Sequence, residues 1–137
     1  MIDLPERLRR LTEAEYPRFS DAEMERRRKA LAGLMTAAGA DHVVVPGANR
    51  VGAGVGWLTQ WPVTTEGVVV FTPGSRDVMF VHYFNHLPLA RKLAADADVR
   101  WAGESAIRLA VECVEAQMKD LGPVWEALAK PEHPDGP

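Results

Sequence analysis

The fold is decided by the stretch Glu66-Gly67-Val68-Val69-Val70-Phe71-Thr72-Pro73-Gly74-Ser75-Arg76-Asp77-Val78-Met79-Phe80-Val81. The runs 66–71 and 78–81 are rich in the β-branched and aromatic residues that favour strands. The Pro-Gly pair between them is typical of a tight turn, because proline presets one backbone angle and glycine tolerates a positive φ. The stretch therefore predicts two strands joined as an antiparallel hairpin.

A capped helix and a short strand are predicted before the hairpin. Ser20 and Glu23 form a capping-box pattern, and Gly39 supplies a C-terminal stop, which together predict a helix over 21–38. An apolar stripe at helical spacing is expected to be the buried face of this helix, and it consists of Met24, Leu31, Leu34, Met35 and Ala38. Residues 42–45 predict a strand that is buried if it is apolar on both faces. Residues 46–56 are interpreted as a loop, and 57–61 as a helical turn.

Helices and strands alternate after the hairpin. Pro88 is placed near the start of a helix that runs to about Ala95, residues 99–101 predict a fourth strand, and residues 105–121 predict a long amphipathic helix. Helices interleaved with strands and one hairpin predict an α/β fold in which helices flank a mixed sheet. We divide the chain into an N-terminal arm at 1–19, one domain at 20–130 and a proline-rich tail at 131–137.

Composition excludes several classes of protein. The 137 residues carry a net charge of −3, which disfavours a nucleic-acid or anionic-membrane partner. Cys113 is the only cysteine, so an internal disulfide and a thiolate metal cluster are both excluded. The first residues lack the apolar core of a secretory signal, and no apolar run is long enough to span a bilayer. We therefore expect a cytoplasmic protein.

Two motifs suggest ligands but favour simpler interpretations. The glycines at 52, 54 and 56 lack the spacing of the dinucleotide-binding fingerprint, and Trp57 and Pro62 follow too soon, so we interpret them as a flexible loop. His82 and His86 are four residues apart, as two zinc ligands on one helix would be. Because His82 ends a strand pattern and Pro88 follows closely, we expect surface or N-cap histidines and no metal site.

Charged and nucleophilic residues also fail to form a catalytic set. The run at 26–29 is interleaved with glutamates and is interpreted as a solvated helix face, while Cys113 is interpreted as a small packed residue. Ser20, Ser75 and Ser105 fall at a cap, a turn and a helix start, where none has the context of a catalytic serine. The residues therefore predict no catalytic, cofactor-binding or metal-binding site in this chain.

The capped helix, Gly39-Ala40-Asp41, the strand 43–45, the segment Gly56-Trp57-Leu58-Thr59-Gln60-Trp61 and the hairpin together resemble one known domain. It is the N-terminal domain of the creatinase/prolidase family, which includes the Xaa-Pro peptidases and aminopeptidase P, and the resemblance covers roughly residues 20–105. It departs from the family at Gln60, where a glycine closes the turn, and at Gly54, where an asparagine is usual. Pro62 and Thr64 replace an aromatic residue and an arginine of creatinase, which disfavours creatine as a substrate.

The resemblance implies a three-layer α/β fold and a non-catalytic accessory role. In the family this domain mediates homodimer or tetramer contacts and walls off the neighbouring subunit's active site, while a separate pita-bread domain binds two divalent metal ions. We expect that catalytic domain to be absent from this chain, and we expect a homodimer. The candidate interface or pocket-wall residues are Asn49, Arg50, Trp57, Trp61, Thr64 and Thr65.

Three alternatives remain open at this stage. Trp57 and Trp61 fill the core if they follow the usual tendency of large aromatic residues to be buried. The chain is a stand-alone small-molecule binding module if the glycine-rich loop holds a ligand. A self-contained hydrolase would instead show turnover by the 137-residue chain alone.

Overall fold

A computed structural model describes residues 3–15, 17–49 and 51–119 of the protein. Four strands form one mixed sheet in the order β1 (Val43–Ala48), β2 (Glu66–Phe71), β3 (Asp77–Val81) and β4 (Ala97–Trp101). The first three pair antiparallel, and β4 pairs parallel to β3. The predicted hairpin is therefore confirmed as β2 and β3, in the middle of the sheet.

The hairpin turn has the geometry that its sequence predicts. The Ser75 N–H donates to the Thr72 carbonyl at 3.0 Å, and Gly74 has a φ of 79°. Proline followed by a residue with positive φ is the signature of a type II turn. The turn fixes the register in which Val70 pairs with Val78 and Gly67 with Val81.

Helices cover both faces of the sheet. Alternate residues of the central strands point to opposite faces, so Val69, Phe71, Met79 and Val81 lie in one apolar cluster and Val68, Val70, Val78 and Phe80 lie in the other. The first cluster is covered by α2 (Asp21–Ala38), α3 (Gly54–Thr59) and α4 (Leu87–Leu93). The second is covered by α5 (Ala106–Lys119). The fold is a three-layer α/β sandwich with a mixed sheet.

Helix α2 begins and ends where the sequence predicts, but its buried face is different. Ser20 Oγ accepts a hydrogen bond from the Glu23 N–H, and the helix ends at Gly39, whose φ of 68° is left-handed. Leu34 and Ala38 are exposed, Leu34 by 69%, so their place in the apolar stripe was predicted wrongly. The stripe instead runs through Met24, Leu31 and Met35 and includes arginines.

In the arginine run, Arg27 is buried and Arg28 is only partly exposed, which corrects the interpretation of the run as a solvated helix face. Arg27 is buried under Phe19 and Trp57. Arg28 reaches the first residue of β3, where its Nη2 donates to Asp77 Oδ1 at 2.8 Å and its Nη1 donates to Oδ2. Asp77 is 1% exposed, so this bidentate ion pair joins α2 to a buried residue of the sheet.

Strand β1 and helix α3 also differ from expectation. β1 pairs with β2 alone, and Val44 is 38% exposed, so this strand lies at the sheet edge and is not buried on both faces. It continues to Ala48, and α3 begins at Gly54, so much of the predicted 46–56 loop is regular structure. A Cβ at Gly54 would lie 2.5 Å from Val45 Cγ1. Gly54 therefore permits close packing of α3 on β1.

The remaining elements match their expected order. The arm holds one helix, α1 (Glu6–Glu13), with no buried residue, and Arg18 Nη2 donates to the Leu93 carbonyl at 3.1 Å. The tail at 131–137 and the end of the 20–130 domain lie outside the described residues. Among those the structure describes, no helix has both the length and the apolar character required to cross a bilayer.

Replacing Gly74 with Val is expected to lower the free energy of unfolding by about 1 kcal/mol or more, because a side chain is strained at positive φ. Gly33→Ala is the matched control. Gly33 lies inside α2 with open space around it, so alanine there should stabilise the protein by about 0.5 kcal/mol or more. Urea denaturation measures both, and an unchanged midpoint for Gly74→Val would contradict the turn assignment.

Removing Asp77 is expected to leave Arg28 without its buried partner. We expect Asp77→Ala to lower the free energy of unfolding by about 2 kcal/mol, somewhat less than for a fully buried pair because Arg28 is 22% exposed. Asp98→Ala breaks an exposed pair with Arg100 on the neighbouring strand and should cost under about 1 kcal/mol. Equal losses in the two variants, measured by urea denaturation, would show that the buried pair has no special role.

Candidate functional site

One edge of the sheet gathers the loops that contain the predicted site residues. Strands β1, β3 and β4 run in the same direction, so their carboxyl ends meet at one edge, where β2 begins. We call this the carboxyl edge, and its loops are 49–53, 60–65, 82–86 and 102–105. In open α/β sheets, ligands commonly bind outside the carboxyl ends of the strands. The carboxyl edge is therefore the expected location of a functional surface.

Left-handed backbone shapes the loop between α3 and β2. Gln60, Val63 and Thr65 have φ values of 66°, 31° and 65°, although none of them is glycine. For Val63 in particular this conformation is unfavourable, since a β-branched side chain crowds the backbone at positive φ. Such residues persist where surrounding structure holds them, and they concentrate at functional sites. Gln60 occupies the position where the family resemblance expects glycine, and its left-handed φ gives the physical reason for that preference.

Trp61, Thr64, Tyr83 and His86 form a contiguous group that we call the aromatic corner. The Trp61 and His86 rings meet edge to face with centroids 5.8 Å apart, and Tyr83 meets His86 in the same way at 5.2 Å. His86 Nδ1 and Thr64 Oγ1 are hydrogen-bonded at 2.9 Å. The corner therefore joins the loop before β2 to the loop after β3 through side-chain contacts.

The outer part of the carboxyl edge exposes aromatic surface. Tyr83 is 44% exposed, Phe84 68% and Trp101 51%. Phe84 and Trp101 stack edge to face with centroids 5.7 Å apart, and Trp101 Nε1 donates to the His82 carbonyl at 3.1 Å. Large aromatic residues held in place yet left open to solvent are typical of contact surfaces.

The structure brings some predicted site residues together and separates others. Thr65 Oγ1 donates to the Tyr83 hydroxyl at 3.2 Å, and the Asn49 N–H donates to the Thr65 carbonyl at 3.1 Å, so both belong to the carboxyl edge with Thr64. Trp61 is 2% exposed, in agreement with the alternative that it fills the core. Trp57 takes no part in the ring contacts of the corner and is half-buried over Arg27. Arg50 lies outside the described residues.

Sequence reasoning missed the exposed aromatic pair and the partners of the histidines. Phe84 and Trp101 are far apart in sequence and meet only because β3 and β4 pair in parallel, so no local pattern points to them. His82 and His86 do not share a helix: His82 follows β3, and its Nδ1 is 4.0 Å from Glu66 Oε2, while His86 precedes α4. Among the described residues, no group of three or more His, Cys, Asp or Glu is arranged to hold a metal ion.

A second polar cluster lies where α2 passes Trp57. Arg26 and Arg27 both donate to the Glu23 carboxylate, at 2.7 Å and 2.8 Å, and Arg27 Nη1 donates to the Trp57 carbonyl at 3.0 Å. The hydrogen bonds from Arg26 and Arg27 lower the pKa of Glu23 from 4.5 to about 2. Glu23 therefore remains ionised throughout the physiological range.

The threonine hydroxyls at the carboxyl edge are engaged within the chain, Thr64 with His86 and Thr65 with Tyr83. His82 and Glu66 lie at the same edge with side chains 34% and 39% exposed. The edge therefore combines titratable groups with a partly exposed aromatic surface.

Comparisons with known proteins agree with the fold. A model for a family of proteins of unknown function (DUF2948) matches residues 84–133, which is less than half of the chain. No curated protein matches the sequence. Among solved structures, the aminopeptidase P (Xaa-Pro aminopeptidase) from Streptococcus thermophilus is similar with a TM-score of 0.52 and 19% sequence identity, over 69% of this chain and 67% of that chain. The nearly equal shares mean that the two chains are of similar length.

Acid is expected to weaken the Glu23 cluster. A folded-state pKa of about 2 lies below the ordinary 4.5, so the contribution of Glu23 to stability is complete above pH 4.5 and is lost as pH falls towards 2. In this window the free energy of unfolding should fall less steeply for Glu23→Gln than for the wild type. Glu25→Gln is the control, since its pair with Lys29 is exposed and long at 3.7 Å. Identical pH slopes for the wild type and Glu23→Gln, measured by urea denaturation, would contradict the assignment.

Proposed function

We propose that this chain is an N-terminal accessory domain of a metal-dependent Xaa-Pro peptidase or creatinase-like hydrolase. Its role is self-association and the walling of a neighbouring subunit's active site, and catalysis belongs to a pita-bread domain outside these residues. That domain would hold the two divalent metal ions. The similarity in fold to an aminopeptidase P and the resemblance of residues 20–105 to the creatinase/prolidase N-terminal domain support this assignment.

The observation that carries the proposal is the exposed aromatic surface at the carboxyl edge. Phe84 and Trp101 stack on each other while remaining 68% and 51% exposed, and Tyr83 stands beside them. Interface cores are enriched in tryptophan, tyrosine and phenylalanine, because these side chains bury a large area at a low cost in conformational entropy.

Contacts within the chain that hold these aromatic rings in place also support contact with another subunit. The hydrogen bond from Trp101 to the His82 carbonyl and the stacking of Phe84 on Trp101 fix the rings before any partner arrives. Preorganised side chains lose little freedom on binding, so more of the contact energy remains as affinity. The interface is therefore expected around residues 82–86 and 101–104. Trp61 is not part of it, because it is already buried within its own chain.

Self-association tests the proposal. In sedimentation at tens of micromolar we expect a homodimer for the wild type, and Phe84→Glu should weaken association by about tenfold or more, because it places a charge in an aromatic contact. Leu34→Glu is the matched control. Leu34 is 69% exposed on α2, outside the loops of the carboxyl edge, so this substitution should leave the dimer unchanged. The same preparations should not hydrolyse Xaa-Pro dipeptides, with or without Mn²⁺ or Co²⁺.

Three results would count against this proposal. A wild type that remains monomeric would contradict the contact surface. Metal-dependent turnover above a blank, in protein purified free of host peptidases, would contradict the accessory role and favour a self-contained hydrolase. A dimer that Phe84→Glu does not weaken would place the interface away from the carboxyl edge.

A further inference from the structure

A groove beside Trp57 is separate from the exposed aromatic surface. It has a volume of about 580 Å³, in the range of small-molecule sites. Its lining combines aromatic and apolar side chains with one charged residue, and it includes Phe19, Arg27, Val51, Trp57, Trp61 and Pro62. The groove is open to solvent between α2 and the loop after β1. Its shape and lining therefore suit a small ligand with an apolar body.

Arg27 gives the groove its charge preference. Its side chain is 9% exposed, its Cζ lies 4.1 Å from the centre of the Phe19 ring, and the Trp57 ring centre is 5.6 Å away. The Nε and Nη1 atoms donate to Glu23 and to the Trp57 carbonyl, while within the described residues no acceptor is bonded to Nη2. The Nη2 atom of Arg27 therefore keeps its N–H donors available at the groove, although the side chain is nearly buried.

The charges around Arg27 do not cancel. Glu23 is shared by Arg26 and Arg27, so this group of three ionised side chains carries one net positive charge. No acidic side chain contributes to the groove lining in the described part of the chain. An anionic ligand would therefore meet a favourable potential, and a cationic ligand would not.

We propose that this groove binds a small carboxylic acid with an aromatic or branched apolar body. The apolar part packs against Trp57 and Phe19, and the carboxylate accepts a hydrogen bond from Arg27. A phosphate ester fits less well, because a doubly charged group needs more donors than one partly engaged arginine supplies. The proposal is independent of the accessory role, because neither Phe84 nor Trp101 lines the groove.

The first test compares two probes of nearly the same shape, 3-phenylpropionate and its neutral amide, by isothermal titration calorimetry. We expect saturable binding of the carboxylate in the submillimolar range and affinity for the amide about tenfold lower, because the amide lacks the charge that Arg27 recognises. Equal affinity for the two probes, or no saturable binding of either, would overturn the proposal.

Variants at Val51 test the charge preference without disturbing Arg27. Val51 is 70% exposed at the groove rim, so Val51→Glu and Val51→Lys should both fold. We expect Val51→Glu to weaken binding of the carboxylate several-fold and Val51→Lys to strengthen it, whereas the amide should bind the two variants equally, because both lose the same apolar contact. Val111→Glu, which makes the same substitution on α5, on the opposite face of the sheet from the groove, should change the affinity for neither probe.

A further variant tests the stacking contact. Trp57→Ala removes apolar surface that both probes use, so the affinities for the carboxylate and the amide should fall together, by about tenfold. Far-ultraviolet circular dichroism checks that the variant is folded before binding is measured. Unchanged carboxylate affinity in a folded Trp57→Ala protein, or no response to charge at Val51, would locate the site elsewhere and overturn the inference.

Discussion

The central strands are apolar on both faces, and the rest of the structure depends on this constraint. Residues 67–71 and 77–81 are buried without exception. Burying one such valine or phenylalanine contributes about 1.5–3 kcal/mol, so a bare face on this sheet would forfeit much of the stability of the domain. Helices must therefore cover both sides. The same constraint explains why α5 lies on the opposite face from α2, α3 and α4.

The way the helices attach to the sheet determines where the loops and aromatic residues of the carboxyl edge lie. The Arg28–Asp77 pair holds α2 against the start of β3, and the absence of a side chain at Gly54 lets α3 approach β1 closely. The chain leaves α3 through left-handed residues at Gln60 and Val63, which direct Trp61 inward. Because Trp61 is held in the core, its contact with His86 positions the loop after β3. The exposed aromatic residues follow from that loop.

Local signals in the sequence predicted the helices and strands. The errors in the prediction fall on residues whose contacts are distant in sequence. The hairpin turn, the Ser20 cap and the end of α2 at Gly39 each depend on a few neighbouring residues, and all three are confirmed. The burial of Arg27 and the ion pair of Arg28 were missed because their partners, Trp57 and Asp77, are 30 and 49 residues away. Helical periodicity alone could not show that arginines, and not Leu34, complete the buried face. The aromatic corner was predicted only in part, since Thr64 and Trp61 were identified but Tyr83 was not.

Hydrogen exchange at two protein concentrations tests the contact surface most directly. If the chain self-associates as proposed, raising the protein concentration should slow amide exchange in residues 82–86 and 101–104. Exchange in the exposed edge strand 43–48 should stay the same, although its unpaired backbone groups offer an alternative contact. Protection confined to 43–48, with 82–86 and 101–104 unchanged, would contradict the assignment of the carboxyl edge as the subunit interface.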